Sequence, residues 1–212
     1  MSRAKSIGLA ATVAIVAIAA GMLLSRALLD RSGGGPTLAK ATLLDPARPL
    51  PPMAFVDQQN RPFGLEQLQG HWSILFFGFT FCPDVCPTTL ALLAQVEKQL
   101  ADLPTEHRPH IVLVSVDPKR DRPERLAQYV KSFSPTFTGI TGEQEAVHEF
   151  ALKLGVPVAI SPLPGGNYTV DHSAAIFIVD PSGALRALSS TPHEVPIIAE
   201  DYRSIVAAYP IS

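Results

Sequence analysis

The chain has 212 residues, with 17 Lys and Arg against 19 Asp and Glu, and a net charge of −2 when its six histidines are neutral. That length suits one domain of ordinary size plus an extension. With no basic stripe and no acidic tail, the charge pattern points away from nucleic acid, and two cysteines exclude a disulfide framework. The pair can still form one disulfide, one metal site or a couple that cycles between thiol and disulfide, or be two buried small hydrophobes.

Arg3 and Lys5 precede Ile7 to Leu24, IGLAATVAIVAIAAGMLL, an uncharged apolar run about as long as a membrane span. Positive residues ahead of such a run favour a cytoplasmic N-terminus with the remainder outside. A cleaved signal peptide is the alternative, with Ala17 and Ala19 as an A-x-A site, although the run is long for one. Either way the folded part is expected beyond the membrane, where thiols oxidise unless a metal or a reductant holds them. Residues 1–30 therefore read as an N-terminal membrane anchor, and the Gly- and Pro-rich residues 31–52 as a linker. Residues 53–212 read as the domain.

Met53 to Phe63 suggests a hairpin around Asp57 to Asn60, and Leu65 to Leu68 one helical turn. Ile74 to Phe79 is continuously apolar, as in a central strand covered on both faces. Pro87 to Leu100 has helical periodicity, with Pro87 suited to a first helical position. Ile111 to Val116 is a second strong strand, ended by Asp117-Pro118. Pro123 to Phe133 predicts a helix, Thr136 to Ile140 a short strand, and Glu143 to Leu154 a helix capped by Gly155. Val156 to Asn167 reads as a Pro/Gly-rich loop, and Tyr168 to Asp171 leads to His172. Ala174 to Val179 is a third strong strand, Asp180 to Gly183 a turn, Ala184 to Ser189 a hairpin partner, and Ile197 to Tyr209 a last helix.

This order is an α/β arrangement with a mixed sheet flanked by helices. Both cysteines, Cys82 and Cys86, lie in a loop that leaves the first buried strand and opens a helix, which places the fold near the thioredoxin plan. The spacing is C-x-x-x-C, and the helix N-terminus is expected to favour thiolates.

Two thiolates leave a soft metal short of ligands, and imidazole is a fitting third. His107 and His110 flank a polar loop and read as solvated. His148 lies within a helix, and His71 precedes a strand at the end away from the cysteines. His193 sits in a late loop that could approach. His172 stands out, because it follows a long loop able to fold over the cysteines; a structural hydrogen-bonding role is its alternative. Two Cys and one His suit three-coordinate Cu(I), or Cu(II) with an added ligand. Structural zinc wants four protein ligands, iron–sulfur clusters want more cysteines, and haem attachment wants C-x-x-C-H.

FFGFTFCPDVCPTTL at Phe76 to Leu90, DPKRD at Asp117 to Asp121, FTGITG at Phe137 to Gly142 and VDHSAAIFIVDPSG at Val170 to Gly183 resemble the Sco/SenC family. The resemblance runs in order across roughly Met53 to Tyr209, with the N-terminal span. It implies a thioredoxin-like fold anchored to the inner membrane and facing the periplasm, or the intermembrane space in mitochondria. It implies copper held by Cys82, Cys86 and His172. It also implies cytochrome c oxidase subunit II as partner, whose dinuclear CuA site receives copper or whose cysteines are reduced. Asp84 and Asp117 fit the pattern, either supporting the ligands and a partner or merely capping a loop and ending a strand. A thiol–disulfide oxidoreductase built on the redox pair Cys82 and Cys86 is the alternative function. A peroxidase is a third, with Thr80, Thr88 and Thr89 at hand but no arginine in the loop. The Val156 to Tyr168 loop is expected to move as metal enters or leaves.

Overall fold

The computed structural model describes residues 16–25 and 35–209. The chain divides into two compact units, Met1–Pro36 and Thr37–Ser212. Residues 16–25 are helical. Among the described residues no helix is long and apolar enough to cross a membrane, and much of the span expected over Ile7 to Leu24 lies outside them.

In chain order the second unit runs β1 (Thr42–Pro49), β2 (Phe55–Asp57), β3 (Pro62–Phe63), a 3-10 turn (Leu65–Leu68), β4 (Ser73–Gly78) and α1 (Val85–Gln99). It continues through β5 (His110–Ser115), α2 (Pro123–Lys131), β6 (Thr138–Thr141), α3 (Gln144–Lys153), β7 (Ala159–Pro162), β8 (Tyr168–Asp171), β9 (Ile176–Val179), β10 (Ala184–Ser189) and α4 (Val195–Ala208). The main sheet has eight strands in the order β1-β10-β9-β4-β5-β6-β2-β3, while β7 and β8 pair in a separate two-stranded sheet.

β4 is buried at every position, as its apolar run requires, and it sits at the centre of the main sheet. It pairs parallel with β5, from Ser73↔His110 to Gly78↔Ser115, and antiparallel with β9. Side chains alternate between faces along a strand. Phe77 therefore turns to one face, where Phe150 of α3 meets it at 6.1 Å between ring centroids. Ile74, Phe76 and Gly78 turn to the other, where Gly78 lies beneath Cys86 of α1. α4 closes against the start of β4 through Tyr202, edge-on to Trp72 at 6.2 Å. Gly155 follows the end of α3 at φ +80° and donates to the Leu152 carbonyl at 2.9 Å, the expected cap.

Two segments depart from the sequence reading. Thr42–Pro49, inside the expected linker, is an edge strand antiparallel to β10, with its register broken between Leu43 and Arg48. An edge strand with such a break tolerates Pro46 and Pro49, so proline content hid it. Its approach is fixed by α4: the buried Asp201 carboxylate accepts the backbone N–H groups of Ala39, Lys40 and Ala41 at 2.5, 3.0 and 2.7 Å. The expected loop Val156 to Asn167 contains β7, paired with β8 from Ala159↔Asp171 to Pro162↔Tyr168. β7 buries no residue, so it carries no apolar alternation to read.

Asp201→Ala strips three backbone donors of their partner and should cost about 2–3 kcal/mol of stability. Urea unfolding of residues 37–212 measures it; a loss below about 0.5 kcal/mol, the ordinary surface value, would show that the 39–41 segment is held by other contacts.

Candidate metal centre

The cysteine loop is built on one carboxylate. Asp121, fully buried, accepts the Thr80 N–H at 2.9 Å, the Thr80 hydroxyl at 2.6 Å and the Ser115 hydroxyl at 2.7 Å. This ties the exit of β4 to the end of β5. Burial pushes the Asp121 carboxyl up, and the bonds from Thr80 and Ser115 offset that in part. Beyond Thr80 the chain turns back, with the Cys82 N–H donating to the Phe79 carbonyl at 3.2 Å. The Cys86 N–H then donates to Cys82 Sγ at 3.4 Å.

Both cysteines are free thiols; Cys82 is half-buried and Cys86 fully buried. Helix α1 begins at Val85, two residues ahead of the expected Pro87, so Cys86 occupies its first turn. Asp84 takes the N-cap position without a side-chain bond to the helix backbone; its carboxylate accepts only the Thr88 hydroxyl, at 3.4 Å. Gly78 makes room for the buried sulfur. A Cβ there would lie 3.2 Å from Cys86 Sγ and 3.0 Å from a Leu113 methyl, closer than ordinary packing allows.

His172 follows β8 directly. Its Nδ1–H donates to the Ser173 carbonyl at 2.9 Å, which leaves Nε2 as the unprotonated nitrogen. Nε2 lies 3.7 Å from Cys86 Sγ. The Phe79 ring stands edge-on to the imidazole at 5.9 Å. Burial holds the His172 pKa below the ordinary imidazole value, so the ring is neutral at pH 7, the form that ligates metal. Among the described residues no three His, Cys, Asp or Glu side chains already stand close enough together to hold a metal ion.

Four of the remaining five histidines, His71, His110, His148 and His193, have other partners. The His193 Nε2–H donates to the Ala174 carbonyl at 2.8 Å, bracing the segment just after His172. The His148 Nε2–H donates to the Val116 carbonyl at 2.9 Å. His71 and His110 stand at the far end of β4 and β5, with ring nitrogens 3.3 Å apart, and His110 also meets the Thr138 hydroxyl at 2.8 Å. His110 is thus not solvated as expected: burial lowers its pKa to about 4.

The thiol electrostatics also differ from expectation at Cys86. The helix N-terminus was expected to favour its thiolate, yet burial pushes the Cys86 thiol up, reinforced by Cys82 and by the charge of Asp121. A partial charge at a helix end does not offset removal of a thiolate from water.

Several contributors were not legible from residue type. Arg120 pairs with Asp117, whose carboxylate also accepts the Tyr168 hydroxyl at 2.7 Å. Asp117 is therefore more than a strand terminator. No arginine lies within the loop, but Arg125 arrives from α2 and donates to the Thr80 hydroxyl at 2.5 Å while lying over the Phe81 ring at 3.9 Å. Phe81 and Val85, 45% and 48% exposed, rim the site with apolar surface. The DPKRD run and its internal Arg120–Asp117 pair were visible, but Tyr168 and Thr80, which the run also binds, are distant in sequence.

Exposure and thiol acidity together predict unequal reactivity. In the reduced metal-free protein a small alkylating reagent should label Cys82 well before Cys86, read by peptide mass. Equal rates would contradict the buried position of Cys86.

The sequence and the fold have counterparts. The SCO1/SenC family profile matches residues 43–207. A relative from Stutzerimonas stutzeri, named for copper binding, is 39% identical over 168 residues, 78% of this chain and 78% of its own length. The mitochondrial SCO2 homolog of Mus musculus is 32% identical over 157 residues, 74% of this chain but 62% of the mouse protein, so this chain spans less than two thirds of it. The crystal structure of Arabidopsis thaliana ScoI with copper bound has a TM-score of 0.71 to this one at 28% identity, covering 75% of this chain and 98% of that one.

Proposed function

The chain belongs to the SCO1/SenC family, and on that footing we propose that it is a copper metallochaperone, holding copper through Cys82, Cys86 and His172. Its acceptor is the CuA site of cytochrome c oxidase subunit II, and its N-terminal segment tethers it to the inner membrane with the domain in the periplasm. The observation that carries this reading is the approach of unprotonated His172 Nε2 to within 3.7 Å of Cys86 Sγ, beside Cys82. With metal bonds of about 2.3 Å to sulfur and about 2.0 Å to imidazole nitrogen, a trigonal angle of about 120° separates the two donors by about 3.7 Å. Two sulfurs and one imidazole form a soft donor set of low coordination, which favours Cu(I) over the hard divalent ions.

Loading displaces protons. Cys86 holds its proton firmly in the metal-free protein, so copper binding there must release it. His172 adds no competing proton at neutral pH. Copper leaves by ligand exchange, as an acceptor's donors replace those of this chain through a shared-copper intermediate.

Copper stoichiometry and affinity of the reduced protein, wild type beside His172→Ala, test the ligand set. About one copper per chain is expected, with affinity weakened by the substitution more than the roughly tenfold that loss of a ligand's hydrogen-bonded neighbour costs. Unchanged affinity in His172→Ala would remove the histidine from the set. Apparent affinity should also rise at least about tenfold per pH unit near neutrality, one proton leaving Cys86 per copper bound; a flat profile would mean that Cys86 is not a ligand. The 156–168 segment is expected to exchange its amide hydrogens more slowly with copper bound, and equal protection in both forms would count against its movement.

The second reading is thiol–disulfide exchange with a partner's cysteines. The Cys86 N–H to Cys82 Sγ contact favours it, since it holds the two thiols side by side. Disulfide reduction without copper, insensitive to His172→Ala, would support that reading over metal delivery.

A further inference from the structure

His172 is carried on a support that the main sheet does not hold. Among the described residues its strand, β8, pairs only with β7, in a sheet of two strands. The hairpin makes no ladder hydrogen bonds to the body of the domain, so side chains must set its angle. Val170 is its one buried residue, and Asp171 bonds back within the hairpin, to the Ser161 hydroxyl at 2.7 Å.

The side chain that spans the gap is Arg120. Its guanidinium pairs with Asp117 and donates through Nη1 to the Tyr168 carbonyl, the first of β8, at 3.0 Å. It lies over the Tyr168 ring at 3.7 Å and the Phe81 ring at 4.6 Å, with Phe79 at 5.8 Å. The Tyr168 hydroxyl returns to Asp117 at 2.7 Å and closes the circuit. Three segments meet on one side chain: the cysteine loop, the turn after β5 and the start of the strand that leads to His172. The circuit is largely dry, with the Arg120 side chain 20% exposed and that of Asp117 3%.

Only arginine suits this post. Its planar fork pairs with a carboxylate and a carbonyl at once while its faces stack on two rings, and a lysine ammonium provides a point charge alone. Metal sites tolerate only about 0.2 Å of error in a bond length. With the circuit broken, the hairpin hangs from the β8–β9 junction, where His172 sits, and any swing turns the imidazole away from Cys86.

We propose that Arg120 is a positioning residue for copper binding, clasping Asp117, Tyr168 and Phe81 so that His172 Nε2 stays over Cys86. The proposal rests on the reading of His172 as a ligand. It makes Arg120 act chiefly through the histidine, because the cysteines have further supports of their own in Asp121 and Gly78.

The test is a double-mutant cycle on the full-length reduced protein, titrated with Cu(I) against a competing chelator: wild type, Arg120→Lys, His172→Ala and the double variant. Removing the arginine's charge alone would leave the Asp117 carboxylate buried and unpaired. Arg120→Lys keeps the charge, and a combined Asp117→Asn, Arg120→Gln variant, tested on both backgrounds, removes both charges together. Arg120→Lys should weaken copper about tenfold in the wild type, as loss of a ligand's support does, and change it less than about twofold on His172→Ala, the tolerance of an additive cycle. The Cu(II) charge-transfer spectrum of Arg120→Lys should move toward that of His172→Ala. If His172→Ala is weakened but Arg120→Lys binds as wild type does, the ligand set stands and the clasp falls. Equal losses on both backgrounds would show that the arginine supports the fold or the cysteines, which also overturns the proposal. Wild-type affinity in His172→Ala would remove the ligand reading and the proposal with it.

Discussion

The site depends on one buried carboxylate. Asp121 comes from the turn after β5, yet all three hydrogen bonds to its carboxylate serve the junction between two central strands and the cysteine loop. β4 and β5 are parallel and in register to Gly78↔Ser115, so both chains leave the sheet at the same level. Two diverging backbones there would leave unpaired donors in a region closed to water, and each would cost about 1–3 kcal/mol. Asp121 satisfies the Thr80 N–H, the Thr80 hydroxyl and the Ser115 hydroxyl together. Once Thr80 is fixed, the turn that presents Cys82 to the Cys86 N–H has little freedom.

The same arrangement sets the chemistry. Gly78 admits the Cys86 sulfur to the floor of the sheet, where no water reaches it, and burial with a carboxylate nearby keeps the thiol protonated. A buried thiolate without a cation is unfavourable by more than a helix N-terminus returns. The metal-free site therefore holds a protonated Cys86 thiol and a neutral His172 imidazole. The site loses the Cys86 proton as a metal ion binds, and it takes a proton up again when the ion leaves.

Much of this was legible in the sequence. The apolar runs at Ile74, Ile111 and Ala174 gave the central strands, because strands buried on both faces leave uninterrupted apolar stretches. Cys82 and Cys86 were visible as a pair opening a helix. Residue reasoning made His172 stand out among six histidines but left a structural role open; the resemblance implied it as a ligand, and the structure sets it beside Cys86. What stayed hidden has a common cause. β1 and β7 lie at an edge or in a detached hairpin, where burial does not impose a pattern. Arg120 and Asp117 are neighbours in sequence, but their contacts with Tyr168 join distant positions, which no local spacing encodes. The protonation of Cys86 depends on depth, and His110 reads as a loop residue until its burial against His71 and Thr138 is known.

The three donors of the candidate site have unequal supports. Cys82 and Cys86 stand on the exit of a strand buried at every position and on the first turn of a helix packed against it. Their separation is fixed by backbone bonds that the core enforces. His172 stands at the end of a hairpin outside the main sheet, held by one arginine and a few side-chain contacts. Local stability follows buried contacts, so the histidine side opens at lower cost than the cysteine side. A site that kept its metal permanently would gain from three equally rigid ligands. One that must surrender it gains from a single ligand on a weaker mount, because exchange can start there while the two sulfurs keep the ion from escaping to solvent.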